Sequence, residues 1–151
     1  MNTHCDLLVI GGGTAGLVGA KTAAGFNAHV VLVERDRPGG DCLWTGCIPS
    51  KSLIAAASAA AHIRQSSSLG VHAGEIKIDF DEVMGHVHDA IRTIEPTDSF
   101  NSLRAAGVHV IAGDVIFEGS DTVSIGKEQV RFRQALVATG ATPLVPDIPG
   151  L

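Results

Sequence analysis

The stretch "DLLVIGGGTAGLVGAKTAAG" (residues 6–25), with "HVVLVE" (29–34) after it, decides the fold of this 151-residue chain. "DLLVI" (6–10) is a short apolar run that ends in glycines, which predicts a strand buried on both faces. Residues 14–24 are small, aliphatic and helix-compatible, and Gly25 is placed to stop that helix. "HVVLVE" is a second buried strand. Strand, glycine turn, helix, strand is the opening of a parallel βαβ unit.

Gly11, Gly13 and Gly16 form G-x-G-x-x-G directly after the first strand, and Glu34 ends the second. Each glycine has a distinct physical task. The first permits the tight turn, the second lets a pyrophosphate approach the backbone, and the third lets helix and strand pack closely. Thr14 and Ala15 then open the helix, whose N-terminus offers unpaired N–H groups and the positive end of a dipole to phosphates. Glu34 can accept hydrogen bonds from the ribose 2′- and 3′-hydroxyls. An acid there opposes a 2′-phosphate, so the adenosine of FAD or NAD is favoured over that of NADP.

Beyond Glu34 the pattern loosens. Residues 35–50 are rich in Gly, Pro and Cys and form no simple element, and "SLIAAASAAAHIRQ" (52–65) predicts a helix. "SSSLGVHAG" (66–74) predicts a loop. "DFDEVMGHVHDAIRTI" (79–94) has apolar residues at 80, 83, 84, 87, 91 and 94, a helical period that Pro96 interrupts. Thr97 and Asp98 are candidate caps for a further turn or two through Ala106. "VHVI" (108–111) is a strand. "DVIFEGSDTVSIGKEQVRFRQ" (114–134) predicts a small antiparallel meander split at Gly-Ser-Asp and Gly-Lys. "ALVATGATPLVP" (135–146) returns to a buried strand ending at Thr-Gly, and "PDIPGL" is turn-like and linker-like.

Bulk composition narrows the function. Hydrophobic residues make up 45% of the chain and charged residues 18%, with 18 Gly, no Tyr, five Phe and one Trp. The core is therefore aliphatic and small-residue. A formal charge of −5 offers no basic field for nucleic acid. Three cysteines are not a disulfide scaffold. The N-terminus lacks a basic region followed by a leader-like apolar run, and no stretch is long enough for a membrane span. Cytoplasm is the expected compartment.

Two of the cysteines lie in "GGDCLWTGCIPSK" (39–51), four residues apart. Three readings stand: a metal clip, a structural disulfide, or a dithiol that does chemistry. C-x4-C supplies two ligands where zinc wants four, so no metal site is assigned, although two thiolates can bind a soft ion. Residues five apart in a regular helix have Cα atoms about 8.7 Å apart, whereas a disulfide needs less than about 7 Å. Cys42 and Cys47 therefore require a looped or distorted turn, for which Gly46 gives freedom. Pro49 is tolerated only in the first turn of a helix, which places Cys47 at a helix N-terminus. Such a terminus favours a thiolate, as a redox or nucleophilic cysteine needs.

"GGDCLWTGCIPSK" resembles the redox signature G-G-T-C-x-x-x-G-C-x-P-S-K of the class I pyridine nucleotide–disulfide oxidoreductases. These flavoproteins include dihydrolipoamide dehydrogenase, glutathione reductase and mercuric reductase. The N-terminal G-x-G-x-x-G with Glu34, "ATGATP" (138–143) and "IPG" (148–150) are also similar to segments of that family. The resemblance implies a Rossmann-like FAD/NAD(P)-binding domain of the α/β class. It has a parallel sheet with helices and a small antiparallel meander, and is incomplete here. It implies that Cys42 and Cys47 form the redox-active disulfide, with Cys47 against the flavin as the charge-transfer thiolate and Cys42 exchanging with substrate. It places Lys51 near the flavin N5, Gly113 at the adenine, and Thr139, Gly140 and Ala141 in the turn that passes the cofactor. Gly40, Asp41 and Cys42 fall beside the pyrophosphate.

Asp41 departs from the family's usual Thr. An acid there repels phosphates unless it turns away or caps a neighbouring N–H, or unless FAD is held differently. "LWT" (43–45) also departs from the commoner V/L-N-V, and Asp41 with Trp44 is more similar to the mercuric-reductase-like and uncharacterised branch than to dihydrolipoamide dehydrogenase proper. The resemblance implies that residues 1–151 are the N-terminal portion of the FAD domain. The NAD(P)H-binding domain, and the dimerisation domain with its His–Glu pair, would lie in a longer homodimeric protein. That protein would pass electrons from NAD(P)H through FAD to the Cys42–Cys47 disulfide. The substrate would be a small molecule of the disulfide–dithiol couple or a metal ion, such as dihydrolipoamide or mercuric ion. The alternative is a catalytically incompetent FAD-binding dithiol module. None of the chain's seven histidines is assigned as a base.

Overall fold

The computed structural model describes residues 2–150. In chain order it runs β1 (Asn2–Ile10), α1 (Thr14–Gly25), β2 (Val30–Glu34), α2 (Gly40–Trp44), α3 (Cys47–Gln65), α4 (Phe80–Ile94), α5 (Phe100–Ala105), β3 (His109–Ala112), β4 (Ile116–Phe117), β5 (Thr122–Ile125) and β6 (Glu128–Val137). The six strands form one sheet in the order β3-β2-β1-β6-β5-β4. β1 pairs in parallel with both β2 and β6, and β2 with β3. β4-β5 and β5-β6 are antiparallel. The α/β class, the parallel sheet and the small meander are as the sequence predicts.

Both faces of the parallel part are covered, which explains its unbroken apolar runs. Val9, Val30 and Leu32 pack on one face with Leu17 and Ala20 of α1 and Leu103 of α5. Leu8, Ile10, Val31 and Val33 pack on the other with Val123, Ile125, Val130 and Phe132 of the meander. The ring of Phe117 meets that of Phe132 edge-on, with centroids 6.1 Å apart. A third, smaller cluster joins Leu43 of α2 to Val87 and Ile91 of α4. It fastens the cysteine segment to the rest of the domain. α3 itself buries no residue fully.

Several details differ from the sequence reading. The sequence predicts no simple element in residues 35–50, yet Gly40–Trp44 is helix α2, and β1 starts at Asn2, ahead of the predicted Asp6. Gly25 lies inside α1, and the chain turns instead through Asn27, whose φ of 62° is in the left-handed region that Asn tolerates. Thr97 and Asp98 sit in a 3-10 turn (Glu95–Asp98), and Ser99 caps α5 by accepting from the Ser102 N–H. Ser66–Leu69 is a 3-10 turn within the predicted loop. Residues 135–137 do not start a separate buried strand. They are the end of β6, which pairs with β5 through its first half and with β1 along almost its whole length. Val137 is 63% exposed, because beyond Arg131 no strand flanks its outer edge.

The core supplies two predictions. Leu8 is fully buried and Val18 is 61% exposed. Leu8→Ala should cost about 2–5 kcal/mol in urea unfolding, while Val18→Ala should change stability by less than about 0.5 kcal/mol. Cys5 is also buried on β1, and that burial pushes its thiol from 9.0 up to about 11. The folded state therefore favours the neutral thiol. Its contribution is complete below pH 9 and is lost as pH rises through about 11. Urea midpoints measured from pH 8 upward should fall in that window, and Cys5→Ala should flatten the fall.

Candidate functional site

The site grows from the ends of β1 and β2. Gly11 leaves β1 with φ +104°, and its N–H donates to the Val33 carbonyl at 2.8 Å. A Cβ at Gly11 would stand 2.3 Å from the Ala138 oxygen, so no side chain fits where the loop passes the end of β6. A Cβ at Gly16 would stand 1.8 Å from the Gly11 oxygen. Gly16 thus serves loop–helix packing from beneath and does not line the cleft. Gly12 is buried; its N–H donates to Glu34 Oε2 at 2.6 Å and its carbonyl accepts from the Gly39 N–H at 2.9 Å. Glu34 Oε1 accepts from the Asp36 N–H at 2.8 Å. The acid is therefore held by backbone on both oxygens, each of which keeps a further lone pair.

Gly40 closes the other side. Its φ is +55°, and a Cβ there would stand 2.8 Å from the Gly13 Cα. The two backbones meet where a side chain on Gly40 would hold them apart. Gly13 caps α1 without a side-chain hydrogen bond, and the first turn of α1 holds no acid. The N–H groups of Thr14, Ala15 and Gly16 thus have no intrahelical acceptor.

Around this loop lies a cleft of about 1010 Å³. Of the sequence-predicted residues, Gly11, Gly13, Thr14, Ala15, Glu34, Gly40, Asp41, Cys42, Gly113, Thr139, Gly140 and Ala141 line it. Cys47 and Lys51 do not, and both are exposed. Gly113 has φ +152° and packs so closely on the meander that a Cβ would meet Ile125 Cγ2 at 2.8 Å. Asp41 accepts from Thr45 Oγ1 at 3.4 Å, one turn along its own helix. Arg37 and Trp44 also line the cleft. The sequence reading gave neither a role, because their contact is tertiary and no motif marks it.

The two cysteines meet where α2 ends and α3 begins. Gly46 separates the helices, and a Cβ on it would stand 2.8 Å from the Asp41 oxygen. Cys47 is the first residue of α3, as Pro49 predicts, and the Ser50 N–H donates to the Gly46 carbonyl at 3.0 Å. Both cysteines are thiols, Cys42 half-buried and Cys47 exposed. A hydrogen bond with the Cys47 sulfur holds the Cys42 thiol above its usual range. Burial adds to that rise, while a hydrogen bond from Thr14 and the charge of Lys51 oppose it. Among the described residues no group of three His, Cys, Asp or Glu side chains could hold a metal ion. No described helix is long and apolar enough to cross a membrane.

A family model described as pyridine nucleotide-disulphide oxidoreductase matches residues 5–151. The chain belongs to that family. Three similar members illustrate its range. The chain is 29% identical over its whole length to a glutathione reductase of Nostoc sp., covering 33% of that protein. It is 30% identical over 99% of its length to a mercuric reductase of Bacillus cereus, covering 24%. It is 38% identical over 99% of its length to a dihydrolipoyl dehydrogenase of Haloarcula marismortui, covering 32%. The chain thus spans about a quarter to a third of these family members.

The thiol contact makes a checkable statement. Cys47→Ala removes the largest cause of the raised Cys42 value, so Cys42 should become thiolate at lower pH. Iodoacetamide alkylation of Cys42 followed against pH should shift towards lower pH in the variant, and an unmoved profile would contradict the contact.

Proposed function

We propose that the chain is the FAD-binding, dithiol-bearing part of an NAD(P)H-dependent disulfide oxidoreductase. One observation carries this reading: the Cys42–Cys47 pair stands at the edge of a cleft whose floor is glycine backbone and the uncapped start of α1. A side-chain-free floor with free N–H groups fits the diphosphate of an extended dinucleotide. Glu34 would take the ribose, Gly11, Gly13, Thr14, Ala15, Gly40 and Asp41 the diphosphate side, and Gly113 the adenine. Thr139, Gly140 and Ala141 would flank the passing cofactor, with Lys51 near its ring. Bound FAD would supply the two-electron relay between a nicotinamide and the dithiol.

The residues' own chemistry is thiol–disulfide exchange. Two electrons and two protons convert the Cys42–Cys47 disulfide to two thiols. The Cys42 thiolate then attacks a substrate disulfide and expels one substrate thiolate, which leaves protonated. Attack by the Cys47 thiolate on the mixed disulfide frees the second thiol and restores the bridge. With a soft metal ion as substrate, both sulfurs can act as ligands. The chain contains a single G-x-G-x-x-G. The nicotinamide site, the exchange base and a homodimer interface are therefore assigned to a longer protein, as is action on a small disulfide or mercuric ion in the cytoplasm. The second reading, a dithiol module inactive alone, describes these 151 residues by themselves.

The chain mixed with FAD should bind it. Gly11→Ala, which sets a methyl 2.3 Å from the Ala138 oxygen, should weaken binding by at least about tenfold. A longer protein carrying this chain should oxidise NAD(P)H in the presence of a disulfide or metal acceptor, and Cys42→Ser or Cys47→Ser should abolish transfer to the acceptor. Absence of FAD binding together with absence of NAD(P)H oxidation would refute the reading.

A further inference from the structure

Arg37 and Trp44 form a pair that the motifs leave without a task. The Arg37 guanidinium carbon lies 3.7 Å from the centroid of the Trp44 ring. The indole is itself fixed, because its Nε1–H donates to the Pro38 carbonyl at 2.8 Å. Its chain neighbour Leu43 is only 1% exposed. Neither ion pair among the described residues involves Arg37. A guanidinium stacked on a ring keeps its N–H donors in its own plane, directed past the ring and open to an anion.

Charge in the cleft gives this pair a purpose. Glu34, Asp36, Asp41 and Asp114 line it, against Arg35 and Arg37. Asp41, which follows the Gly40 that touches Gly13, also lines the cleft, and its carboxylate accepts from Thr45 Oγ1. A diphosphate brings more negative charge to a site already acidic. The dipole of α1 offers about half a charge in return. Of the two arginines, Arg37 is the one held in place by an aromatic partner.

We propose that Arg37, held flat on Trp44, is the cation that binds the diphosphate of the dinucleotide and offsets Asp41, an inference that rests on the FAD reading above. Arg37 is a binding residue and Trp44 its positioning residue. Lysine cannot replace the arginine fully, since it keeps the charge but loses the planar stack.

Trp44 is the single tryptophan of the chain, so its fluorescence reports on the cleft. The test titrates the 151-residue chain and its Arg37→Gln variant with FAD, ADP and adenosine at low and high salt. Arg37→Gln should weaken FAD and ADP about tenfold and flatten their salt dependence, with adenosine unchanged. Arg37→Lys should keep the salt dependence with intermediate affinity. Trp44→Leu, followed by calorimetry, should weaken FAD and ADP but not adenosine. Equal losses for all three ligands, or no loss in Arg37→Gln, would overturn the inference while the FAD reading stands. Failure of the unaltered chain to bind FAD and ADP would overturn this inference, and together with absence of NAD(P)H oxidation by the longer protein it would overturn the FAD reading as well.

Discussion

The peptide of Gly12 holds the site together. Its N–H reaches Glu34 at the end of β2, and its carbonyl takes the N–H of Gly39 at the start of the cysteine segment. One buried residue thus ties the glycine loop to both ends of the turn that runs from Glu34 to Gly39. Its position is fixed in turn, because the preceding Gly11 N–H is bonded to Val33. Without the bond to Gly39, the Pro-Gly-Gly turn would lose its registry on the glycine loop. Gly40 could not then seat against Gly13, and α2 would not bring Cys42 to the cleft.

From that constraint comes a division of labour. The floor of the cleft is made by omission: glycines remove the side chains that would keep β1, β6 and α2 apart, and backbone donors are left facing the space. The walls carry the charge and the chemistry. Glu34 is rigid because backbone N–H groups occupy both of its oxygens. The dithiol is rigid for another reason. Leu43 is locked among α4 residues, so α2 cannot turn without breaking the Leu43–Val87–Ile91 cluster. The break at Gly46 then lets α3 start afresh with Cys47. The thiols meet because two short helical starts converge, which a single continuous helix could not achieve.

Most of this was legible in the sequence where burial or sterics leave one solution. The runs at 7–10 and 30–33 allow only a two-face-buried strand, and Pro49 allows only a first helical turn. The glycine spacing anticipated the tight turn at Gly11 and the close packing at Gly16, but not the approach of Gly11 to the end of β6. Legibility failed where a residue's environment comes from a distant segment. β6 looked like two elements because Arg131, Phe132, Arg133 and Gln134 alternate as a surface strand does, while Leu136 and Val137 look like core. One continuous strand carries both patterns, since β5 flanks only its first half. Ser99, Thr97 and Asp98 are all competent caps, and only the path of the chain after Pro96 selects Ser99. The stack of Arg37 on Trp44 could not be read at all, because six intervening residues must first fold over the glycine loop.

On the proposed reading, the electrostatics of the pair bear on how exchange at Cys42 would be driven. The hydrogen bond to Cys47 holds the proton on Cys42, and a negative charge on Cys47 would tighten that hold. Lys51 and Thr14 pull the other way but do not win. Attack by Cys42 therefore needs help in losing its proton, or a pH above that of an ordinary thiol. None of the seven histidines lines the cleft, and each is exposed. The bases that the cleft itself offers are the carboxylates of Glu34, Asp36, Asp41 and Asp114. Within these residues alone, exchange at Cys42 accelerates as pH rises, since thiolate is the attacking species. A base supplied from another part of the protein would move that acceleration to lower pH.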